Sequence, residues 1–457
     1  MIKKYSLKFW IIFWVAATLF LVGWFFFWQV KSRGIQSVGS VVRFLPIASD
    51  AKQELKTLAS LADHFLQSDG REQTFLILFQ NNMELRPGGG YIGSFGIVKI
   101  KSGKVTALQI HDLSNFDGRV PDVVPPPYPM AETLHIPSLK LRDSNYSPDF
   151  VENAKQAEYF YYLGKGEEQF DGVVAVNANV LTSFLKATGP VQIEGYPGEY
   201  GSENAILALE YQVEKGYDDQ GIPKGDRKSV MSPLAQAIIA KIYQLDVSGK
   251  IELAKILAED LNRKDIQLYF HDPVLQQSVA AAGWAGTVDQ AWRGDYLMVV
   301  DANLGAYKSD YYMRRSLNYS VDLSQAKPVA HLKITYTHTA MQRDWMTKDY
   351  LTYVRVYVPD GSWLINSQNA GEARYGNELG KKYFAFLVPV KLGETKTIEL
   401  EYALPDHFSS DKYSLKIQKQ PGTADVPVKV QVVAPSGSQQ DFDVVLNKDI
   451  ELPGGNQ

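Results

Sequence analysis

A chain of 457 residues is about three times the common size of one domain, so more than one folded unit is expected. Its 45% hydrophobic, 21% charged and 12% aromatic content is that of a globular protein, and 47 basic against 51 acidic residues (formal charge -4) exclude a general nucleic-acid binder. The absence of cysteine excludes disulfide frameworks, thiolate metal centres and thiol nucleophiles, and the seven histidines offer no HExxH spacing for a catalytic zinc.

Phe9 to Val30 reads FWIIFWVAATLFLVGWFFFWQV, without a charged residue. At about 1.5 Å per residue such a helix spans a hydrocarbon core of about 30 Å. The run exceeds a signal-peptide core and no small-x-small cleavage site follows it, so residues 9–30 are expected to be an uncleaved single-pass anchor. Lys3, Lys4 and Lys8 place residues 1–8 in the cytoplasm as a short tail, and the bulk of the chain outside the cell membrane.

Residues 31–70 are expected to form a helical stalk, with a helix on the first domain as the alternative for 49–65, since Leu55, Leu58, Leu61 and Phe65 recur at helical spacing behind a Ser49 or Asp50 cap. QTFLILF (73–79) reads as a buried strand; YIGSFGIVKI (91–100), the KSGK turn and VTALQI (105–110) read as a hairpin. The loop PDVVPPPYPM cannot be regular structure. A helix over 148–163, a strand at FDGVVAV, helices over 179–187, 202–213, 232–245 and 248–263, and strands at 265–270 and 296–301 complete an α/β or α+β domain over 71–326. From 327 to 457 the short alternating runs HLKITYTH, YLTYVRVYVP, YFAFLVPV, TKTIELEYAL and VPVKVQVVAP read as an immunoglobulin-like β-sandwich, without the Cys-Trp-Cys pattern.

Gly88, Gly90 and Gly93 satisfy GxGxxG by letter, but a strand pattern follows where a dinucleotide site needs a helix, and no Walker lysine follows, so no nucleotide cofactor is expected. The polar strings QNNMELRPGGG (80–90) and LRDSNYSPDF (141–150) sit at strand ends. Buried amides, guanidinium groups and carboxylates must be paired, so each string is either a hydrogen-bonded corner or a ligand site. As a ligand site, Arg86 and Arg142 offer planar forks for a phosphate, Asn81, Asn82, Glu84, Gly89, Gly90 and Asn145 line it, and Asp143 or Asp149 holds a divalent cation, Mg2+ being the expected one. Asn303 and Lys308 in DANLGAYKSDYYMRR are further candidates for binding an anion, with a salt-bridged domain junction as the plainer reading.

The strings QNNMELRPGGGYIGSFG, LRDSNYSPDF, FDGVVAVNANVLTSFLKATGPV, DANLGAYKSDYYMRR and QKQPG closely resemble a bacterial membrane-anchored family named only for its domain of unknown function 4012. The resemblance runs from about Thr74 to Gln420 and implies no reaction. A weaker one is to the LytR-CpsA-Psr family, carried by the order anchor, hairpin, FDGVVAVNANVLTSFLKATGPVQIEG, and by Asp226-Arg227 ahead of the helix SPLAQAIIAKI. It implies transfer of a glycopolymer from a polyprenyl-pyrophosphate carrier to cell-wall polymer, using magnesium and a basic pocket, with Asp226 joining Arg86, Arg142 and Asp143 as catalytic residues and Arg227 binding ligand. This chain has Ile110-His111-Asp112 where that family has Ile-Pro-Arg-Asp. Two functions are therefore expected as alternatives: an envelope phosphotransferase or polyprenyl-phosphate binder, or a non-catalytic extracellular glycan- or protein-binding protein.

Overall fold

The computed structural model describes residues 49–66, 71–324, 327–405, 408 and 413–453. The expected tail at 1–8, the anchor at 9–30 and the start of the stalk at 31–48 lie outside the described residues, among which no helix is long and apolar enough to cross a membrane.

The first sheet is built from β1 (Gln73–Asn81), β2 (Tyr91–Lys101), β3 (Lys104–Asp112), β4 (Gly172–Asn177) and, beyond a small ribbon of β5 (Val191–Gln192) and β6 (Glu199–Tyr200), β7 (Ile266–Phe270). Its order is β3-β2-β1-β4-β7, with β1 and β4 parallel and every other pair antiparallel. Period-two alternation along β1 sends Leu76 and Leu78 to one face and Phe75 and Ile77 to the other, so both faces need a cover. Seven helices matter here: α1 (Ser49–Leu66), α2 (Phe150–Leu163), α3 (Asn179–Thr188), α4 (Ala205–Tyr211), α5 (Met231–Gln244), α6 (Val247–Asn262) and α7 (Pro273–Ala281). Phe150, Ala154, Ala157 and Phe160 of α2 pack on the Leu76 face. Helices α1, α3, α6 and α7 contribute to the core on the Phe75 face, and α4 and α5 pack over α3.

Of the two expectations for the described part of the stalk segment, the stalk gives way to the helix on the first domain. Leu58, Leu61 and Phe65 of α1 pack into the core of Phe75 and Phe270, and Thr57 Oγ1 donates to the Ser278 carbonyl at 3.1 Å, so Ser49–Leu66 is a helix of the first domain. Its apolar stripe is used for docking rather than for spacing.

Downstream, the strands are β8 (Asp295–Asn303), β9 (Met313–Asp322), β10 (Val329–His338), β11 (Tyr350–Pro359), β12 (Trp363–Gln368), β13 (Arg374–Glu378), β14 (Lys381–Val390), β15 (Thr395–Ala403), β16 (Ser414–Ile417), β17 (Val426–Val433), β18 (Gln439–Leu446) and β19 (Ile450–Pro453). They form two six-stranded sheets, β12-β15-β10-β9-β17-β18 and β13-β14-β11-β8-β16-β19. Leu317, Leu332 and Leu400 from the first meet Val354, Phe384 and Phe386 from the second in one core, which makes a sandwich.

Two expectations change here. The expected division at 326/327 cuts both sheets, because β8 and β9 precede it yet lie inside the sheets, so the sandwich begins at Asp295. The immunoglobulin-like description also gives way: β8 pairs in parallel with β16 and β9 with β17, whereas an immunoglobulin sandwich is antiparallel with about seven to nine strands. The second sheet is covered on both faces. Ala302, Leu304, Tyr353 and Ala385 turn away from the sandwich core and join the cluster of Leu76, Phe95 and Phe150. The two halves thus share an apolar face rather than a linker.

Candidate functional site

Between the Ile77 face of the first sheet and helices α3, α4 and α5 lies a cavity of about 430 Å³. The sheet supplies Ile77, Phe79, Val98, Leu108, Ile110 and Val176; the helices supply Leu181, Phe184, Leu209, Leu234, Ala235 and Ile238 among others. These are the side chains that alternation along the strands and helical spacing along α5 would aim inward. A core of ordinary packing density fills such a space, so an unfilled apolar volume of this size is a candidate binding cavity.

One end of the cavity is charged. Glu84, Glu210, Glu214, Arg227, Lys228 and Lys308 all line it, and each is held in an ion pair. Lys308 Nζ lies 3.2 Å from Glu214 Oε1 and 3.5 Å from Glu210 Oε2, Arg227 Nη1 lies 2.8 Å from Glu214 Oε2, and Asn81 Nδ2 donates to Glu210 Oε1 at 2.7 Å. Lys228 Nζ donates to Asp112 Oδ1 at 2.9 Å and to the Gly93 carbonyl. Desolvation pushes the Glu210 carboxyl up, against the pull of Lys308. Burial pushes Glu214 the same way, but Lys308 and Arg227 together bring it below its usual range. For Lys308 burial favours the neutral amine, yet Glu210 and Glu214 outweigh it and hold the ammonium; at Lys228 desolvation wins over Asp112 and lowers the amine. The arrangement is an apolar chamber with a charge-balanced mouth of three carboxylates and three cations at one end. It can take an amphiphile whose anionic head competes with the carboxylates for Arg227, Lys228 and Lys308.

The expected site residues divide sharply. Asn81, Glu84, Arg227 and Lys308 line the mouth, while Asn82 lines a neighbouring cleft. Arg86 and Arg142, expected to grip the phosphate, stand behind the wall. Buried Arg86 donates from Nη1 to the Asn303 carbonyl at 2.6 Å and from Nη2 to Glu84 Oε1 at 2.8 Å, its guanidinium 5.5 Å from the Tyr91 ring centre. Arg142 Nε donates to Asp117 Oδ2 at 2.5 Å, Nη2 to the Leu113 carbonyl at 3.3 Å and Nη1 to the Tyr91 hydroxyl at 3.4 Å. Both reach the cavity only through Glu84 and Tyr91, so they are braces. Asp226 is exposed in a short turn and does not line the cavity. Buried Asn145 donates to the Gly90 carbonyl, Gly89 sits at φ 129°, and buried Asn303 donates to Asp310 Oδ2 at 2.8 Å, so these three serve the corner itself.

The cation site does not fit its residues. Asp149 caps α2, with Oδ1 accepting from Val151 N and Glu152 N and Oδ2 from Val288 N; Asp143 Oδ2 accepts from Lys140 N, and burial raises its carboxyl to about 6. Carboxylates saturated by main-chain amides, or held near protonation, are poor ligands for a hard cation. No group of three or more His, Asp or Glu arranged to hold a metal occurs among the described residues.

Residues 70–213 match the family described as Protein of unknown function (DUF4012). The matched stretch carries the first strands of the sheet, α2, α3 and α4, and with them one wall of the cavity and the carboxylate Glu210 of its mouth. No curated protein matches the chain. Among solved structures it is similar to a Legionella pneumophila protein (10% identity, 35% of this chain and 70% of that one, TM-score 0.25) and to a Listeria innocua protein (12%, 47% and 80%, TM-score 0.27). It is also similar to an M1 zinc metallopeptidase of Deinococcus radiodurans (14%, 31% and 33%, TM-score 0.13). Likenesses this slight transfer neither fold nor function.

Sequence reasoning missed Lys228, Glu210 and Glu214. The two glutamates stand four residues apart and so share a helical face, and Lys228 directly follows Arg227. Those spacings were visible, whereas the apolar walls carry no mark that separates a cavity from a core.

Proposed function

We propose that this chain is a single-pass, extracytoplasmic envelope protein that binds a polyprenyl phosphate or pyrophosphate, its tail in the cavity under α3, α4 and α5 and its head at Arg227, Lys228 and Lys308. One observation carries the reading: an apolar space of about 430 Å³ ends in three paired cations. Each buried methylene of a tail contributes about 0.8 kcal/mol, so several isoprene units would supply most of the affinity and the head would supply orientation. The resemblance to the LytR-CpsA-Psr family agrees with this ligand class, and the apolar run at 9–30 would hold the domain beside the membrane that carries such lipids.

The test is calorimetric titration of the ectodomain with geranylgeranyl phosphate. Ala235→Phe places a ring in the cavity, where open volume lowers the risk of overpacking, and should abolish binding while leaving the melting temperature near that of the parent. Lys308→Ala should weaken binding about tenfold, the effect of one charge-assisted contact. Absence of binding by the parent, or full binding by Ala235→Phe, refutes the proposal.

A further inference from the structure

Helix α5 runs along the apolar cavity from Met231, whose Sδ accepts from Ser94 Oγ at 3.6 Å, to Tyr243, whose hydroxyl accepts from Val105 N at 2.9 Å. The first contact lies beside the charged mouth, where Lys228 Nζ reaches the Gly93 carbonyl, and the second lies at the far end, beside the turn between β2 and β3. Val98, Leu108, Ile239 and Ile242 line that far end, and all four are only half-buried, so the chamber is not sealed there. The chain then turns back through Leu245 and Asp246 into α6, and Tyr243, Val247 and Ile251 stand 49%, 75% and 54% exposed. Lys101 and Lys104 at the hairpin turn and Lys250 on α6 are exposed on the same end, and no ion pair holds them among the described residues. The acids nearby are already engaged: Asp246 caps α6 through Gly249 N at 2.7 Å, Glu252 pairs with Lys255 at 3.5 Å, and Glu72 accepts from Thr106 Oγ1 at 2.7 Å.

We infer that this end of the α/β unit docks on the surface of an anionic bilayer, with Tyr243, Val247 and Ile251 at the acyl boundary and Lys101, Lys104 and Lys250 among the headgroups. The inference rests on the proposed function, since it states where the tail of that ligand leaves the protein. A space of about 430 Å³ encloses a molecule of drug size, so a tail of more than a few isoprene units projects from it. Projection into water would forfeit the burial that drives binding, whereas docking lets the tail run from chamber to membrane without crossing water. Exposed apolar side chains beside lysines are the composition of a surface that lies in an anionic lipid interface. A second copy seated there would set its own lysines against these. The tether permits this orientation: α1 begins at the mouth end, where Glu54 accepts from Asn262 Nδ2 at 3.1 Å, but the segment 31–48 has an extended length of about 60 Å, roughly twice that of α1.

The chain has no cysteine, so single spin labels can be placed at will on the full-length protein. Val247→Cys, Ile251→Cys and, as the reference on the sandwich, Val445→Cys, whose parent side chain is 50% exposed, are labelled and reconstituted into vesicles of phosphatidylcholine and phosphatidylglycerol. Electron paramagnetic resonance then compares collisions of each label with oxygen, which concentrates in the bilayer, and with a nickel chelate, which stays in water. The ratio of oxygen to nickel collisions should rise on reconstitution at 247 and 251 and stay unchanged at 445, and the rise should shrink when phosphatidylglycerol is omitted. Titration of the parent with geranylgeranyl phosphate is the companion measurement. Labels at 247 and 251 that remain in water, on a chain that binds geranylgeranyl phosphate, overturn the docking surface and leave the tail-binding reading standing. A chain whose labels enter the bilayer but which binds no geranylgeranyl phosphate overturns the link between patch and tail together with the proposed function. Dipolar broadening between labels at 251 in detergent, without vesicles, identifies the patch as a contact between copies and overturns the inference.

Discussion

Replacing Arg86 by alanine separates a brace from a ligand-binding group, because the two roles predict opposite results. The guanidinium is buried, donates to the Asn303 carbonyl at 2.6 Å and to Glu84 at 2.8 Å, and covers the Tyr91 ring. Its removal leaves a buried carbonyl at the end of β8 and a largely enclosed carboxylate without their partner. Breaking one half of a buried ion pair costs about 3–5 kcal/mol. With about 2 °C lost per kcal/mol in a cooperative unit of about 250 residues, the melting midpoint should fall by roughly 6–10 °C. Differential scanning calorimetry gives the midpoint, and titration at a temperature where the variant is fully folded gives the affinity for geranylgeranyl phosphate. The reasoning expects a large fall in the first and little change in the second. A variant that keeps its midpoint within about 1 °C and loses affinity about tenfold would show that Arg86 meets the ligand, and would refute the arrangement argued here.

Gly422 sits at φ 78°, and a Cβ there would lie 1.8 Å from the Gly89 carbonyl oxygen, so Gly422→Ala should prise the 418–424 loop from the 86–90 corner and cost more than about 3 kcal/mol in urea unfolding; a loss under about 1 kcal/mol contradicts the close approach. Burial raises the carboxyl of Asp295 to about 6, above its unfolded value, so the folded state keeps that proton between about pH 4 and 6 and its contribution to stability declines across this window by up to about 1.4 kcal/mol per unit. Asp295→Asn cannot ionise and can still bond Tyr319, Tyr413 and Tyr296 N, so chemical denaturation should show the variant gaining on the parent from pH 4 to 6 and holding that gain above; a pH-independent difference would mean that Asp295 is ionised throughout.

Local patterns carried far in this chain, and the long-range ones did not. The hairpin of β2 and β3 and helix α2 follow from alternation, a Lys-Ser-Gly-Lys turn and an aspartate cap, all within about twenty residues of one another. Strand β8 misled because YLMVVDAN is nearly all buried, and a continuous apolar run looks the same in a parallel α/β sheet as in a sandwich sheet covered on both faces. Arg86 and Arg142 misled for another reason: their partners include the carbonyls of Asn303 and Leu113, and a carbonyl has no signature in sequence. The mouth was partly legible because Arg227 and Lys308 are charges that must find a use, while the wall residues Ile77, Leu181 and Ile238 would read identically in a solid core.

The parallel pairings in the sandwich have a consequence for synthesis. Leu317 pairs with Val428 and Leu297 with Ile417, so β9 and β8 leave the ribosome long before the strands that complete their sheets. Until the C-terminal segment arrives, each carries an open hydrogen-bonding edge flanked by apolar side chains, the template on which nascent chains pair with one another. Non-local pairing of this kind also closes slowly. The vulnerable interval in the life of this protein is therefore the one between synthesis of β8 and β9 and synthesis of β16 and β17, and its yield should respond to elongation rate, temperature and holdase supply more strongly than to substitutions that stabilise the finished α/β half.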